Sequence, residues 1–375
     1  MDKLPEEKIK KSEKLPAKKK LKVAVGLSGG VDSSVAALLL KEQGYEVTGV
    51  YMKCWDVKED GCAADEDKAY AVQTAIKLGI EYETLDFKKE YKKKVISYFY
   101  DEYKKGRTPN PDVMCNREIK FGIFYKWAME NGFDFVATGH YARVEEQGGE
   151  FKLLKGIDSS KDQSYFLYTL KSDILKHVLF PVGGLKKSEV RKLAKKNNLP
   201  SAQRPESMGI CFIGEVNIRN FLEKEIKHLK GKVLDVAGNV IGEHDGAEFF
   251  TVGQRHGFKL EKYHGEPMYV VGKNTEKNEL TVGTEKETMR KNFEVGEICW
   301  VNESPFGKKL SEQEFSCEVR IRHLGKFYQA NISQNKTKDD LIFSVVLAEP
   351  AFGVAPGQSC VFYLGDIVLG GGIIL

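Results

Sequence analysis

Short apolar runs alternate with amphipathic stretches over the first 140 residues of the chain. LKVAVGL (21–27) is rich in valine and predicts a buried strand, and VDSSVAALLLKEQG (31–44) predicts a helix that ends at a glycine. EVTGVYM (46–52) predicts a second strand, and DEDKAYAVQTAIKLGI (65–80) predicts a second helix that opens with acidic residues. This alternation of strands and helices predicts an α/β fold with a parallel sheet flanked by helices.

Apolar positions predict which helix faces are buried. In the second helix, Val72 and Ile76 are expected to face the sheet. A third helix has an apolar face of Phe121, Phe124 and Ala128. KSEVRKLAKKNNLP (187–200) predicts a basic amphipathic helix that could hold RNA phosphates, although a solvated basic face explains it equally well.

The pattern of the chain changes after about residue 215. From residue 231 to 285 glycine is frequent, and short strand-like runs alternate with turns. From about residue 290, five or so short strands separated by turn residues predict a small closed β-barrel. We therefore expect four parts: a tail (1–20), a catalytic domain (21–215), a central small domain (216–288) and a C-terminal β-barrel (289–375).

Net charge gives little information about the partners of this protein. The formal charge is +4, but residues 1–20 hold eight lysines against four acidic residues and so supply all of it. We expect this polar tail to be disordered and basic. The other 355 residues balance at 50 basic against 50 acidic side chains, so any nucleic-acid site must be a local patch.

Seven cysteines lie scattered at positions 54, 62, 115, 211, 299, 317 and 360. This odd, dispersed set does not fit a secreted disulfide framework, and no apolar run approaches the length of a membrane span. We expect a cytoplasmic protein without membrane or DNA partners. Cys115 lies in TPNPDVMCNREIKF (108–121), one turn after Asp112, and a lone cysteine of this kind is most often an inert core thiol.

The first strand–helix junction, GLSGGVDSS (26–34), has the features of a phosphate-binding loop. Adjacent glycines allow the backbone to approach a ligand, and the helix that begins there adds positive potential and inward N–H groups. The loop lacks the Gly-Lys-Ser/Thr of a Walker motif and the glycine spacing of the dinucleotide fingerprint. Its SGGxDS pattern resembles the pyrophosphate loop of ATP pyrophosphatases, which adenylate an oxygen and thereby turn it into a leaving group.

A thiol near such a loop is no longer easily explained as inert. Cys211 lies in ESMGICFIGE (206–215), 96 residues after Cys115, and neither has a CxxC partner for zinc. Two cysteines brought together by the fold can transfer sulfur, because one carries a persulfide and the other displaces it and leaves a disulfide bond. Asp112 is close enough in sequence to move a proton at the same site.

Several ordered motifs together resemble one family. They are SGGVDSS, PNPDVMCNREIKF, ATGHYAR (137–143), KDQSYFLYTL (161–170), MGICFIGE (208–215), TVGQRHG (251–257) and GDIVLGGGII (365–374). These motifs resemble the tRNA-specific 2-thiouridylases, the bacterial MnmA/TrmU family, over roughly residues 21–375. The resemblance implies an adenine nucleotide alpha hydrolase-like catalytic domain and a tRNA-binding barrel.

The resemblance also implies the chemistry. ATP, with Mg²⁺, adenylates the 2-carbonyl oxygen of the wobble uridine in tRNA, and sulfur arrives as a persulfide on Cys211. Cys115 matches the nucleophile and Asp112 the general acid/base residue, and the products are 2-thiouridine, AMP and pyrophosphate. A sulfur-carrier protein or cysteine desulfurase is the implied donor, and the anticodon stem-loop is the implied RNA element.

Two further sets of positions follow from the resemblance. The ATP-binding set is Gly26, Leu27, Ser28, Gly29, Gly30, Val31, Asp32, Ser33, Met52 and Gly139. The tRNA-binding set is Asn110, Pro111, Asp112, His140, Lys161, Asp162, Gln163, Arg322, His323 and Gln358. HLGKFYQA departs from the family pattern beside Arg322 and His323, and RPESMGICF departs from it before Cys211.

Three alternatives stay open at this level. Asp112, Cys115 and Cys211 could instead ligate an iron–sulfur cluster that carries the sulfide. The loop alone would also suit an enzyme that amidates or ligates a small molecule, and the barrel alone would suit a non-catalytic RNA-binding protein. Cys54 and Cys62 are expected to be structural or exposed thiols without a metal.

Overall fold

The structure is a computed structural model. It describes residues 20–55, 64–205, 209, 211–213, 218–227, 229–261, 265–307, 314–336 and 341–375. The expectations for the basic tail and for Cys62 fall almost wholly outside these residues. Among the described residues, no helix is long and apolar enough to cross a membrane.

A five-stranded parallel sheet organises the N-terminal part of the chain, with the strand order β3-β2-β1-β4-β7. Its strands are β1 (Lys22–Gly26), β2 (Glu46–Lys53), β3 (Glu81–Asp86), β4 (Phe135–Ala137) and β7 (Val178–Leu179). Its first crossovers are α1 (Val31–Glu42) and α2 (Ala64–Leu78). The predicted parallel sheet flanked by helices is therefore confirmed.

One buried face was predicted wrongly. In α2, Ile76 is 75% exposed, whereas Ala71 and Ala75 are fully or almost fully buried. Small alanines allow this helix to lie close to the sheet, and Leu78 supplies the larger apolar contact at its end. The sequence prediction placed the larger apolar side chains inside, but the closely packed face of α2 is made of small ones.

Four short helices and two π-helical segments connect β3 to β4. They are α3 (Lys88–Tyr91), a π-helical segment (Lys92–Ile96), α4 (Ser97–Lys104), α5 (Pro111–Cys115), a second π-helical segment (Asn116–Ile123) and α6 (Phe124–Glu130). The apolar face predicted for this region is confirmed, since Phe121 of the second π-helical segment and Phe124 and Ala128 of α6 are buried. The segments α5 to α6 form one continuous run of helix with the π-helical part in its middle.

Further elements close this part of the molecule and build the central one. They are α7 (Ser172–Leu175), α8 (Lys187–Lys196), α9 (Ile218–Leu222), β8 (Gly231–Leu234), β9 (Val240–His244), β10 (Lys259–Leu260), β11 (Tyr269–Asn274), β12 (Glu279–Gly283) and α10 (Glu285–Thr288). The five central strands form a separate sheet in the order β10-β9-β8-β12-β11. Val233, Val270 and Leu280 are fully buried in its small core.

The C-terminal strands close into a barrel. They are β13 (Met289–Trp300), β14 (Glu314–Arg320), β15 (Tyr328–Lys336), β16 (Leu341–Phe352), β17 (Ser359–Leu364) and β18 (Ile367–Ile374). Pairing of β13 with β18 completes the ring, which confirms the predicted barrel and removes its free edges.

A hairpin that precedes the barrel in sequence extends the barrel sheet. Its strands are β5 (Ala142–Gln147) and β6 (Glu150–Lys155), and β6 pairs with β18 through Leu153 and Leu154. Sequence analysis did not predict this pairing. As a result, the segment that follows β4 is tied directly to the barrel.

Candidate active site

The nucleotide loop (residues 26–34) is held in place by its own serines. Ser33 Oγ donates to Gly30 O at 3.1 Å and accepts from the backbone N–H of Ser28 at 3.2 Å. Ser34 Oγ donates to Gly30 O at 2.9 Å and lies 3.2 Å from Thr74 Oγ1 in α2. The loop is thus a preformed turn at the start of α1, where the helix dipole favours an anion.

Two glycines are required by close backbone approaches at this loop. Gly29 has φ +79°, and a Cβ there would lie 2.4 Å from the carbonyl oxygen of Asp67. A Cβ on Gly139 would lie 2.6 Å from the backbone nitrogen of Ser33. The structure therefore brings Gly139 directly against the nucleotide loop. Met52, from β2, covers Gly26 from the other side, because its Cε lies 3.0 Å from where a Cβ would be.

The carboxylate of Asp32 has two partners that sequence analysis did not identify. Lys187 Nζ donates to Asp32 Oδ1 at 2.8 Å and to Oδ2 at 2.7 Å, and Tyr141 OH donates to Oδ1 at 2.7 Å. Lys187 is the first residue of α8, whose lysines were assigned to RNA or solvent. This lysine instead forms an ion pair with a carboxylate of the nucleotide loop.

The helix α5 presents the carboxylate and the first cysteine of the candidate sulfur site. Asn110 caps it by accepting hydrogen bonds from the backbone N–H groups of Asp112 and Val113 at 3.2 and 3.3 Å. Pro111 occupies the first helical position, where its missing N–H costs nothing. Because the start of the helix is fixed, Asp112 and Cys115 project from a defined first turn.

The segment that carries Cys211 folds onto this helix. The backbone N–H of Cys211 donates to Asp112 Oδ1 at 3.0 Å, and Tyr91 OH donates to the carbonyl oxygen of Cys211 at 2.6 Å. Phe212 has φ +67°, and its ring packs edge-on against Tyr91 at 6.0 Å between centroids. A left-handed conformation at a phenylalanine is costly, so its neighbours must hold this turn in place.

The two cysteines lie together but differ in ionisation. Both are free thiols, and Cys115 is fully buried. The Cys115 thiol donates a hydrogen bond to the Cys211 sulfur, which lowers the pKa of Cys211; the Lys120 ammonium adds to this effect. Burial raises the pKa of Cys115 well above its usual value. Cys211 is therefore the more acidic thiol of the pair and Cys115 the less acidic one.

Asp112 and Lys120 complete this charge arrangement. Burial raises the pKa of Asp112, although the Cys211 N–H and the Lys120 charge both oppose the shift. Burial disfavours the charge on Lys120, but Cys211, Cys115 and Asp112 outweigh it and raise the pKa of the amine. Lys120 thus stays an ammonium ion, and its charge lowers the pKa of Cys211.

His140 lies beside Lys120 and is neutral. Its Nε2 lies 3.4 Å from Lys120 Nζ, and its Nδ1 lies 2.7 Å from Thr138 Oγ1. Burial, assisted by the Lys120 charge, keeps the pKa of His140 well below its usual value. Because an ammonium can only donate, Nε2 accepts and Nδ1–H donates to Thr138. His140 was predicted to contact tRNA, but it is 7% exposed and serves this network.

One bridging segment (residues 138–141) joins the nucleotide loop to the cysteines. Gly139 abuts Ser33, Tyr141 bonds to Asp32, and His140 between them lies at hydrogen-bonding distance from Lys120. Neighbouring residues of one short loop therefore contact both sites. The bridging segment thus links the nucleotide loop to the network that contains Lys120.

Three parts of the molecule meet at the residues before α5. The backbone N–H of Thr108 donates to the Pro356 carbonyl of the barrel at 2.8 Å, and its hydroxyl lies 3.0 Å from Thr251 of the central part. Gln358 Nε2 donates to Thr108 O at 2.9 Å. Gln358, a predicted tRNA position, thus contacts the backbone that leads into Asn110 and Pro111.

Asp162 was also predicted to contact tRNA, but the structure places it inside the protein. The carboxylate is almost fully buried, accepts backbone N–H bonds from Gly156 and Ser164, and pairs with Arg320 at 3.0 Å. Arg320 belongs to β14, so the pair fastens the barrel to the catalytic part. The carboxylate therefore holds the barrel against the catalytic part, and a tRNA contact of Asp162 stays a prediction.

The other predicted RNA positions in this region are close in sequence to the two members of that ion pair. Gln163 accepts from the backbone N–H of Tyr141 at 3.0 Å and so supports the bridging segment. His323 packs on Phe166 at 4.3 Å, and burial lowers its pKa to about 4, so it is neutral. Arg322 is exposed, and Lys161 is half-buried in a turn of the same region.

The residues do not fit an iron–sulfur cluster in this arrangement. The Asp112 carboxylate accepts from the Cys211 backbone, and the two cysteine sulfurs are hydrogen-bonded to each other. Among the described residues, no group of three or more histidine, cysteine or acidic side chains is arranged to hold a metal ion. Cys54 is buried near the pair, and burial raises its pKa well above the usual value.

Sequence analysis missed Lys120, Lys187 and Tyr141. Lys120 lies within the quoted cysteine motif and Tyr141 within ATGHYAR, so the motifs contained them without giving them roles. The signal for Lys120 was its place in the sequence between Ile119 and Phe121, which are both buried. Lys187 is one of several lysines in a basic helix, and the sequence did not distinguish it from the others.

Comparisons with known proteins agree with this geometry. The model described as the tRNA methyl transferase HUP domain matches residues 21–215. The tRNA methyl transferase PRC-barrel domain matches residues 219–284, and the aminomethyltransferase beta-barrel domain matches residues 290–374. The three models together follow the order of the catalytic, central and barrel parts.

Curated relatives cover nearly the whole chain. The tRNA-specific 2-thiouridylase MnmA of Listeria monocytogenes is 45% identical over 359 residues, which is 94% of each chain. The protein of that name from Staphylococcus aureus is 44% identical over 95% of each chain.

A solved structure, the U34-tRNA thiolase NcsA from Methanococcus maripaludis with its [4Fe-4S] cluster, is 23% identical, with a TM-score of 0.35 over 55% of this chain and 67% of its own. A likeness that distant assigns no residue here. The identity and coverage of the curated relatives show that this chain belongs to the tRNA-specific 2-thiouridylase family.

Proposed function

We propose that this protein is a tRNA-uridine 2-sulfurtransferase that adenylates the wobble uridine with ATP and then replaces its 2-oxygen by sulfur. The observation that carries the proposal is the bridging segment, because residues 138–141 contact both the nucleotide loop and Lys120 beside Cys211. Adenylation and sulfur transfer must occur at one carbon atom. A shared wall between the two sites meets that requirement.

The nucleotide loop is suited to the first step. Backbone N–H groups at the start of α1 and the Lys187 ammonium supply positive potential for the phosphates of ATP. The uridine 2-oxygen attacks the α-phosphorus, the bond to pyrophosphate breaks, and C2 then carries AMP as a leaving group. We expect Mg²⁺ to accompany ATP, and Asp32 offers the oxygen ligand that this ion prefers.

The cysteine pair is suited to the second step. A persulfide on Cys211 attacks C2 through its terminal sulfur, the C–O bond breaks and AMP leaves. Cys115 then attacks the Cys211 sulfur, the bond to the sulfur on C2 breaks, and that sulfur keeps the electron pair. The products are 2-thiouridine and a Cys115–Cys211 disulfide, which a dithiol reductant must reopen before the next turn.

The pKa shifts of the two cysteines indicate the order in which they react. Cys211 is the more acidic thiol of the pair and so is the one more readily deprotonated to take sulfur from a persulfide donor. Cys115 is protonated and buried, so it cannot attack until a base removes its proton. Asp112, on the same helical turn and with a raised pKa, is the candidate base.

A target uridine must leave its stack to reach this site, which costs least in a loop. The rigid Asn110–Pro111 turn lies beside Asp112 and would form one wall for the flipped base. Exposed Arg322 remains the predicted phosphate contact on the barrel. The persulfide donor is proposed to be a sulfur-carrier protein or a desulfurase.

Nucleoside mass spectrometry tests the proposal. Purified protein, unmodified tRNA, ATP and a persulfide donor should yield 2-thiouridine, and Cys115→Ser and Cys211→Ser should each abolish it. Cys299→Ser is the matched control, because Cys299 is a free thiol of β13 outside the pair. Absence of 2-thiouridine with wild type, or its persistence in both variants, contradicts the proposal.

The same assay separates the alternatives. Full ATP turnover with a small substrate in both serine variants would favour an amidating or ligating enzyme. Binding of tRNA without AMP or pyrophosphate would favour a non-catalytic RNA-binding protein, and a methylated uridine would favour methyl transfer. A colourless, iron-free preparation that forms 2-thiouridine would exclude the cluster route.

A further inference from the structure

We propose that Lys120 is a catalytic residue of sulfur transfer, whose ammonium holds the Cys211 sulfur as an anion and stays beside the sulfur that moves to the substrate. This inference rests on the function proposed above and adds a residue to it. Lys120 lies beside the reacting residue, because its Nζ is 5.8 Å from the centre of the Phe212 ring, the residue next to Cys211, and its charge lowers the pKa of the Cys211 thiol.

The surroundings of Lys120 fix its ammonium at this point. Nζ lies 3.4 Å from His140 Nε2 and 5.8 Å from the centre of the Phe212 ring. The Phe212 ring belongs to the residue after Cys211, so the lysine lies against the turn that presents the sulfur. His140 is in turn oriented by Thr138, which leaves the ammonium little freedom to move away.

The π-helical segment explains why residue 120 reaches this place. Cys115 and Lys120 are five residues apart, and in a regular α-helix five residues turn about 500°, which separates their side chains by about 140°. The π-helical pattern bonds residues five apart and so brings them towards one face. Gly122 fits the same pattern, because a Cβ there would lie 2.8 Å from Arg117 O.

The charge of Lys120 has a use at each stage of sulfur transfer. Before transfer it keeps Cys211 as the thiolate that attacks the donor persulfide, taking its outer sulfur and releasing the donor thiolate. It then faces the terminal sulfur anion of the Cys211 persulfide, which forms the C–S bond as AMP leaves. When Cys115 attacks Cys211, the same cation faces the electron pair that stays on the departing sulfur.

The ionisation of Cys211 depends on several neighbouring groups that any pH measurement must consider. Cys115 and Asp112 face it from α5, Tyr91 from α3, Cys54 from the end of β2, and Lys120 from the π-helical segment. Cys115 and Lys120 favour the thiolate, whereas Asp112 disfavours it. Replacing Lys120 alone should therefore raise the pKa of Cys211, because the other neighbouring groups are unchanged.

Alkylation of Cys211 tests this directly. The iodoacetamide reaction rate of the Cys211 peptide is measured against pH by mass spectrometry, in full-length protein without ATP or tRNA. In Lys120→Met the midpoint should rise by about one pH unit relative to wild type. In Lys120→Arg it should stay near the wild-type value. Lys126→Met is the matched control, because that lysine lies on the following helix with 74% of its side chain exposed.

A second measurement follows sulfur itself. Enzyme loaded with persulfide on Cys211 is mixed with ATP and tRNA, and 2-thiouridine is quantified over one turnover. Lys120→Met should be slower by about 100-fold, with partial recovery in Lys120→Arg. An unshifted Cys211 midpoint, or wild-type transfer in Lys120→Met, would overturn the inference. If wild type forms no 2-thiouridine the proposed function fails, while the alkylation midpoint still decides whether Lys120 holds the thiolate.

Discussion

At the scale of single residues, the main result is a difference in acidity between two similar thiols. The motif that contains Cys115 and the motif that contains Cys211 are readable in the sequence, and both cysteines were predicted as catalytic. Their different pKa values could not be predicted, because they depend on which thiol donates the shared hydrogen bond and on where Lys120 lies. Burial and a neighbouring cation are properties of the folded site.

Lys187 gives a prediction at the same scale. Its ammonium pairs with both oxygens of Asp32 at the nucleotide loop. We expect Lys187→Met to lower tRNA-dependent pyrophosphate release by about 100-fold, because a phosphate-binding cation is lost. A coupled phosphate assay measures this release.

The control for Lys187 lies on the same helix. Lys192 is exposed in α8, so Lys192→Met should leave pyrophosphate release near the wild-type rate. Equal losses in the two variants would mean that α8 acts through its overall charge rather than through one lysine. Unchanged release in Lys187→Met would remove this residue from the nucleotide site.

At the scale of elements, the sequence predicted the existence of strands and helices better than their packed faces. The parallel strands and the glycine-rich turn after β1 follow from short apolar runs and local turn chemistry. The buried face of α2 was predicted wrongly because alanines, rather than Ile76, meet the sheet. The π-helical segment has no periodicity signal of its own in so short a stretch, yet it places Lys120 near Cys115.

Two glycines with positive φ provide an element-scale prediction. Gly29 has φ +79° and Gly44 has φ +89°, but only Gly29 has a backbone oxygen in the space of a Cβ. Gly44→Ala should lower the free energy of unfolding by about 1–2 kcal/mol and keep pyrophosphate release. Gly29→Ala should lose that release, because the loop must move away from Asp67. Urea denaturation and the phosphate assay, applied to both variants, would contradict the account if their activities were equal.

At the scale of the whole molecule, the site depends on contacts between parts that the sequence presents as separate. Thr108 bonds to the barrel and to the central part, and β6 pairs with β18. The strand pair 142–155 carries many charged residues and gives no sign that it pairs with β18, which begins at Ile367. Long-range pairings of this kind are fixed by tertiary packing, which single-sequence patterns do not report.

The buried ion pair between the catalytic part and the barrel gives a prediction at this scale. Arg320→Met leaves the Asp162 carboxylate buried without its partner, so the free energy of unfolding should fall by about 3–5 kcal/mol. Arg322→Met, two residues away and exposed, should change stability by less than about 0.5 kcal/mol but weaken tRNA binding. Urea denaturation and a filter-binding assay measure the two effects. Similar stability losses in both variants would contradict the assignment of Asp162 to a structural role.

The path of one sulfur atom tests the central claim most directly. Enzyme is loaded with isotopically labelled persulfide sulfur on Cys211, freed from the donor, and mixed with ATP and unmodified tRNA. The account predicts that one labelled sulfur per enzyme appears in 2-thiouridine and that a Cys115–Cys211 disulfide forms in equal amount, both by mass spectrometry. Labelled 2-thiouridine without that disulfide, or equal transfer by Cys115→Ser, would contradict it.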